Sequence, residues 1–254
     1  MKTLSDYQRA RQRAQQHVPV AAKTVATPVQ MAGTLSERAS KEVLKAWNIP
    51  VTTDRLLPVD AAVAGSAAGI SFPVALKIVS RDIPHKSEFG GVQLNIANDA
   101  ELTVAMREMM ARVRRAAPAA ALEGLLVSEM VSDGIETIVG VVNDSVFGPV
   151  VAFGLGGLFA ETMRDITYRL APFDLDTARE MISELRASAI LHGVRGRPAG
   201  DIDALVQVLV AVSNLAWQLR ASLEEMDINP LLVRPRGRGV VAADALLRFA
   251  AAKV

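Results

Sequence analysis

The 254-residue chain contains no cysteine. Disulfide crosslinks, cysteine-ligated zinc and thiol nucleophiles are therefore excluded, and the composition fits a reducing cytoplasm. Aromatic residues make up only 4% of the sequence, too little for the stacking platforms that single-stranded nucleic acids use. Neither sign of charge dominates. Lysine and arginine number 28 against 27 acidic residues, so neither a nucleic acid nor an anionic membrane surface is an expected partner. No apolar run approaches the roughly 20 residues that span a bilayer. Residues 1–16 are polar and arginine-bearing, without the apolar stretch of a secretory signal. Two common nucleotide fingerprints are missing as well. No GxxxxGK[ST] occurs, and after Gly154 and Gly156 the third glycine of a dinucleotide loop is replaced by Phe159.

Half of the residues are hydrophobic, enough for one large domain or two modest lobes. Residues 1–34, with Pro19, Pro28 and Gly33, show no sustained period and read as an extension or linker. From Ser36 the pattern ERASKEVLKAW places Ala39, Val43, Leu44 and Trp47 at helical spacing, and Pro50 ends it. A short strand at 51–56, a small alanine-rich helix at about 59–69 and strands at 72–79 and 92–96 follow. Residues 99–116 read as a long helix whose apolar positions are Leu102, Val104, Met106, Met109, Met110 and Val113. Three strands are expected at 124–130, 137–143 and 146–153, the last two joined as a hairpin at Asn143-Asp144. Helices at about 174–186 and 201–221 precede strands near 225–233 and 239–243, with the turn Arg236-Gly237-Arg238-Gly239 between them. The mixture, without strict strand–helix alternation, predicts an α+β fold with antiparallel sheet.

Four segments bear residues suited to chemistry. Lys77 lies inside the apolar run FPVALKIV, where an unpaired ammonium is costly. It either snorkels to the strand end or reaches phosphate oxygens in a cleft. His85 opens HKSEFGGV, whose Gly90 and Gly91 allow a backbone that can present amides to an anion; the plain alternative is a turn into the next strand. A second glycine-rich stretch, FGLGGLFAETMRD, runs from Phe153 into Glu161, Arg164 and Asp165. Finally, Glu225, Asp227 and Asn229 alternate with Met226 and Ile228, so in a strand they share one face. A hairpin would bring Asp244 opposite. This oxygen-rich set, with no basic residue on its face, is of the kind that holds Mg²⁺ beside nucleotide phosphates, unless it is simply a solvated sheet face.

In this order the segments FPVALKIVSRDIPHKSEFGGV, GIETIVGVVNDSVFGPVVAFGLGGLFAETMRDITYRLAPF, ILHGVRGRP and EEMDINPLLV followed by VAADA resemble the ATP-grasp domain of NDP-forming acyl-CoA synthetases. The resemblance is to the β-subunit side of ADP-forming acetyl-CoA synthetase, a relative of the succinyl-CoA synthetase β subunit, and covers about residues 35–250. It implies an ATP-grasp fold of two α+β lobes with nucleotide between them, the smaller at about 50–122 and the larger at about 123–254. It implies that Lys77 contacts nucleotide phosphates, that Gly90 and Gly91 belong to a mobile loop over them, and that Glu129 lies near the adenine. Glu136 would sit beside the ribose or phosphates. Asn229 and Asp244 would hold Mg²⁺, helped by Asp227. His85 matches a family histidine that relays a phosphoryl group between a partner subunit and ADP/ATP. The stretch from Gly154 to Asp165 matches without individual roles.

The reaction so implied is acyl-CoA + ADP + phosphate ⇌ carboxylate + CoA + ATP. The sequence does not include the CoA-binding and ligase domains of fused members, so the resemblance implies either a CoA-binding α subunit as partner, with an acyl-CoA substrate reached through it, or a fragment of a fused enzyme. Two other functions share the scaffold: a non-catalytic nucleotide-sensing module of an acetyltransferase-type assembly, and a stand-alone carboxylate–amine ligase. The His85 segment speaks against the second.

Overall fold

The computed structural model describes residues 32–59, 67, 69–83, 86–157, 165–194 and 196–251. Most of the expected extension, most of the small helix at 59–69, and His85 lie outside these described residues. Along the chain run β1 (Gly33–Thr34), α1 (Glu37–Ala46), β2 (Asp54–Leu57), β3 (Val74–Val79), β4 (Val92–Ile96), α2 (Asp99–Ala116) and β5 (Gly124–Glu129). There follow β6 (Ile135–Asp144), β7 (Gly148–Leu155), β8 (Ile166–Leu170), α3 (Leu175–Ser183), α4 (Ile202–Gln218), β9 (Leu223–Val233), β10 (Val240–Ala242) and β11 (Ala245–Phe249). Every strand pairing in the two sheets is antiparallel, as the α+β reading expects. Among the described residues no helix is long and apolar enough to cross a membrane.

The chain divides into two compact units. The smaller takes in residues 36–38 and 52–132. Its sheet has the order β2-β5-β3-β4, and α2 buries Leu102, Ala105, Met106, Met109, Met110 and Val113. This stripe follows the three- and four-residue spacing of a helix face. Val104 falls off the stripe and is half exposed, and Ala105 is the buried residue beside it. At the helix start the Asn98 side chain accepts the Glu101 amide, and Glu101 accepts the Ala97 amide in return, a reciprocal cap. The expected lobe boundary at about 122 falls instead after Ser132, because β5 pairs with both β2 and β3.

The larger unit is built on a seven-stranded sheet of order β1-β11-β9-β6-β7-β8, with β10 also against β9. Alternation sorts its residues. Met226 and Ile228 of β9, Val139 and Val141 of β6, and Val151 and Phe153 of β7 are buried in one core with α3 and α4. Their alternating neighbours point to the opposite face. The expected hairpin between β6 and β7 forms, with Asp144 opposite Gly148. The Asp144 carboxylate accepts the Val146 and Phe147 amides, and the glycine that such a turn uses is Gly148, at φ +79°. Three strands that local periodicity does not single out, β1, β8 and β11, complete the sheet. The short β1 pairs with β11, so ordered structure already includes Gly33 and Thr34, inside the expected extension.

Candidate functional site

In the smaller unit the six residues of β3 are all buried, Lys77 among them. A buried ammonium needs a counter-charge, and Glu37, at the start of α1, supplies it. The Lys77 Nζ donates to Glu37 Oε1 at 2.7 Å and the Lys86 Nζ donates to Glu37 Oε2 at 2.7 Å. The Glu37 side chain is wholly buried. Two lysines and one carboxylate give this trio a formal charge of +1. The snorkelling alternative for Lys77 is thereby set aside: the ammonium is drawn inward to a carboxylate.

Lys86 begins the 3₁₀ turn Lys86–Phe89 that leads into the glycine pair. Here the Gly90 and Gly91 amides take part in a turn, the plain alternative to an anion cradle. The Gly90 amide donates to Ser87 O at 3.0 Å and the Gly91 amide to Lys86 O at 2.8 Å, so both are engaged within their own turn. The turn is also pinned from outside, since Arg112 Nε donates to Gly90 O at 3.2 Å. Gly90 has φ +64°, and a Cβ on Gly91 would stand 2.5 Å from Ile78 Cγ2. The glycines here serve conformation and close approach. Glu129, the last residue of β5, is half-buried; its amide donates to Thr53 O and its carboxylate has no hydrogen bond or ion pair among the described residues.

In the larger unit Glu136 is exposed on β6, and the second glycine-rich stretch folds against it. The Gly156 amide donates to Glu136 O at 2.8 Å. A Cβ on Gly156 would meet the Glu136 backbone at 3.1 Å, and one on Gly157 would meet its Oε2 at 2.8 Å. Gly156 therefore lets the chain pass close to the Glu136 backbone, and Gly157 leaves room for its carboxyl. Asp165 has a structural task, accepting the Arg186 and Ala187 amides beyond α3 at 3.0 and 2.9 Å. Glu161 and Arg164 lie outside the described residues.

The oxygen-rich strand is β9. Glu225 and Asn229 are exposed and Asp227 is half-buried, while Met226 and Ile228 are buried, as alternation requires. The ladder with the C-terminal strands is interrupted at one place. β10 pairs with residues 231–233 and β11 with residues 223–228. At the gap the Asn229 amide donates to Asp244 O at 3.3 Å, and the Ala243 amide to Pro230 O at 3.0 Å. This break brings Asp244 beside Asn229. Asp227 lies opposite Gly140 of β6, which offers no side chain and leaves space beside the carboxyl.

Glu225 is not part of the same set. Arg248 of β11, its register partner, donates to it at 2.9 Å and also pairs with Glu224. The face therefore does carry a basic residue, contrary to the sequence reading, and that residue compensates Glu225 rather than Asp227. Burial first, then the charges of Asp244 and Glu225, push the Asp227 carboxyl up to about 6. Asp227 makes no ion pair among the described residues. Two carboxylates and an amide oxygen are hard donors that suit Mg²⁺. Among the described residues no three His, Cys, Asp or Glu side chains form a metal-binding group, so any ion here would complete its shell with phosphate oxygens and water, the usual habit of Mg²⁺. The donor chemistry and the raised Asp227 pKa both fit such an ion.

Residues 26–249 match the ATP-grasp domain family. Subunit beta of the ADP-forming acetate–CoA ligase II of Pyrococcus furiosus is 40% identical over 209 residues, 82% of this chain and 89% of that one. Subunit beta of ligase I from the same organism is 42% identical over 197 residues, 78% and 84% of the two chains. The structure of the dinucleotide-forming acetyl-coenzyme A synthetase 1 of Ca. Korarchaeum cryptofilum, in complex with coenzyme A, Ca-AMPCP and HgCl+, aligns with a TM-score of 0.80 at 38% identity, covering 85% of this chain and 93% of that one.

Proposed function

Since the chain belongs to the ATP-grasp family, among the β subunits of ADP-forming acetate–CoA ligases, we propose that it is the nucleotide-handling subunit of an ADP-forming acyl-CoA synthetase. The observation that carries this reading to the residues is Lys77, a lysine buried in an apolar strand and held by a carboxylate. Its ammonium would contact nucleotide phosphates, next to the turn containing Gly90 and Gly91. Glu129 would face the adenine end and Glu136 the ribose or phosphates. Asn229, Asp244 and Asp227 would hold Mg²⁺, which when bound offsets phosphate charge and orients the phosphate oxygens. The complex of the Ca. Korarchaeum synthetase with coenzyme A and Ca-AMPCP supports the pairing of nucleotide and divalent metal.

His85 would accept a phosphoryl group from a partner and pass it to ADP. A neutral imidazole nitrogen is nucleophilic near neutral pH, and the Lys77 ammonium would stabilise charge on the transferring group. The relatives are subunits of larger enzymes, and the partner here would be a CoA-binding α subunit that presents the acyl-CoA. The test is to combine the chain with candidate CoA-binding subunits and assay cleavage of acyl-CoA that requires both ADP and phosphate. Turnover that disappears in His85→Ala while ATP binding persists is the expected result. Intact ATP binding without turnover with any partner would overturn the synthetase reading and leave a nucleotide-sensing module.

A further inference from the structure

Glu37 is buried without need from its helix. An acidic residue in a first turn is stabilised by the macrodipole while still facing water. This one is drawn wholly inside and meets lysines 40 and 49 positions further along the chain. Taking three ionised groups out of water is costly, and a buried ion pair often stabilises a fold no better than apolar packing of the same volume. Stability alone is a weak account of the trio. What the trio does fix is the position of two ammonium groups. Lys77 belongs to a rigid strand. Lys86 begins the glycine turn, and its carbonyl holds the Gly91 amide.

We propose that Glu37 is a positioning residue for the nucleotide's polyphosphate. It holds Lys77 and Lys86 at a set separation and, through Lys86, anchors the Gly90–Gly91 turn. The inference rests on the reading of Lys77 as a phosphate contact. Without the carboxylate, the two ammonium groups lose the acceptor that they share and that sets their separation. The ligand class is a nucleoside di- or triphosphate, whose outer phosphates carry the charge that the two ammonium groups would meet; the monophosphate lacks them.

The experiment is calorimetric titration of the full chain with ATP and, separately, AMP, for the wild type, Glu37→Gln, Glu37→Asp and Lys77→Met. Glu37→Gln should weaken ATP binding by roughly tenfold or more, the worth of a charge-assisted hydrogen bond, with AMP affinity unchanged. Glu37→Asp keeps the charge but is one methylene too short to span both lysines, and should fall between; it also serves if Glu37→Gln does not fold. A merely structural role would weaken both nucleotides together, and that result overturns the proposal. So does an ATP affinity that is unchanged or tighter in both Glu37 variants. If Lys77→Met also binds ATP normally, the reading of Lys77 falls along with it; if Lys77→Met alone loses ATP, only the role of Glu37 is wrong.

Discussion

Replacing Asp227 with asparagine should stabilise the metal-free protein at neutral pH, and the gain should vanish in acid. The carboxyl is pushed up from 3.8 to about 6 by burial and by the negative charges of Asp244 and Glu225. A carboxyl with a higher pKa folded than unfolded takes up a proton on folding. Above about pH 6 it is ionised in both states and the folded state bears the full penalty. As the pH falls from 6 towards 3.8 the folded form protonates first and the penalty disappears. At about 1.36 kcal/mol per pKa unit, the displacement corresponds to about 3 kcal/mol. Because the carboxyl is only half-buried, solvent screening reduces this to an expected ~1–2 kcal/mol.

Asparagine keeps the shape and removes the charge. Urea denaturation of the wild type and Asp227→Asn, with chelator present, should therefore show the variant more stable by ~1–2 kcal/mol at about pH 7.5 and equal near pH 4. Adding ADP with Mg²⁺ should then stabilise the wild type more than the variant, because only the wild type offers the carboxylate to the ion. Equal stability of the two proteins at neutral pH would refute the reasoning. So would a difference that persists undiminished at pH 4, since it would then come from packing rather than charge.

Gly91→Ala would bring a methyl group to 2.5 Å from Ile78 Cγ2 and 3.0 Å from Lys86 O; it should cost about 1–3 kcal/mol in urea denaturation, as overpacking does. Asp165→Ala should cost ~1–3 kcal/mol by leaving the Arg186 and Ala187 amides without their acceptor, with no change in ATP affinity measured by calorimetry; a large loss of affinity would overturn the purely structural role. Asp201 caps α4 through the Ala204 amide and also accepts the Gly237 and Gly239 amides. Its carboxyl is held below 3.8, foremost by the Gly239 amide against a smaller opposing effect of burial. Its contribution should therefore be full above pH 4 and lost as the pH falls through the folded pKa. Asp201→Ala should lower stability by about 1 kcal/mol at neutral pH, and pH-dependent denaturation should show the gap closing in strong acid.

The elements that local pattern can specify were legible: the α2 stripe, the apolar β3 with its odd lysine, the β6–β7 hairpin, and the alternation in β9. Each rests on contacts within one helix turn or one strand, so its signal lies in neighbouring residues. β11 was not legible because ALLRF is short and follows β10 directly; it becomes a strand only by continuing along β9 past the gap at Asn229 and Asp244. The same long-range pairing explains why Arg248 was not read as the counter-charge of Glu225, 23 residues away. The lobe boundary was misplaced for a like reason, since β5 belongs where its partners β2 and β3 lie.

Glu37 shows the limit most clearly. In the sequence it is an ordinary acid in an amphipathic helix start, and Lys77 poses a question of charge that no nearby residue answers. The lysine's burial demanded a carboxylate, but local periodicity could not say which one. Only the fold brings residue 37 to residues 77 and 86, 40 and 49 positions on. A buried charge in a sequence is thus a statement that a partner exists elsewhere, and the residue that completes it is found by geometry. The converse holds at Asp227, whose neighbours Asp244 and Glu225 raise its pKa instead of compensating it. Where the fold supplies a buried lysine with a carboxylate and leaves a half-buried carboxyl facing other acids, a cation added beside that carboxyl would offset the repulsion that raises its pKa.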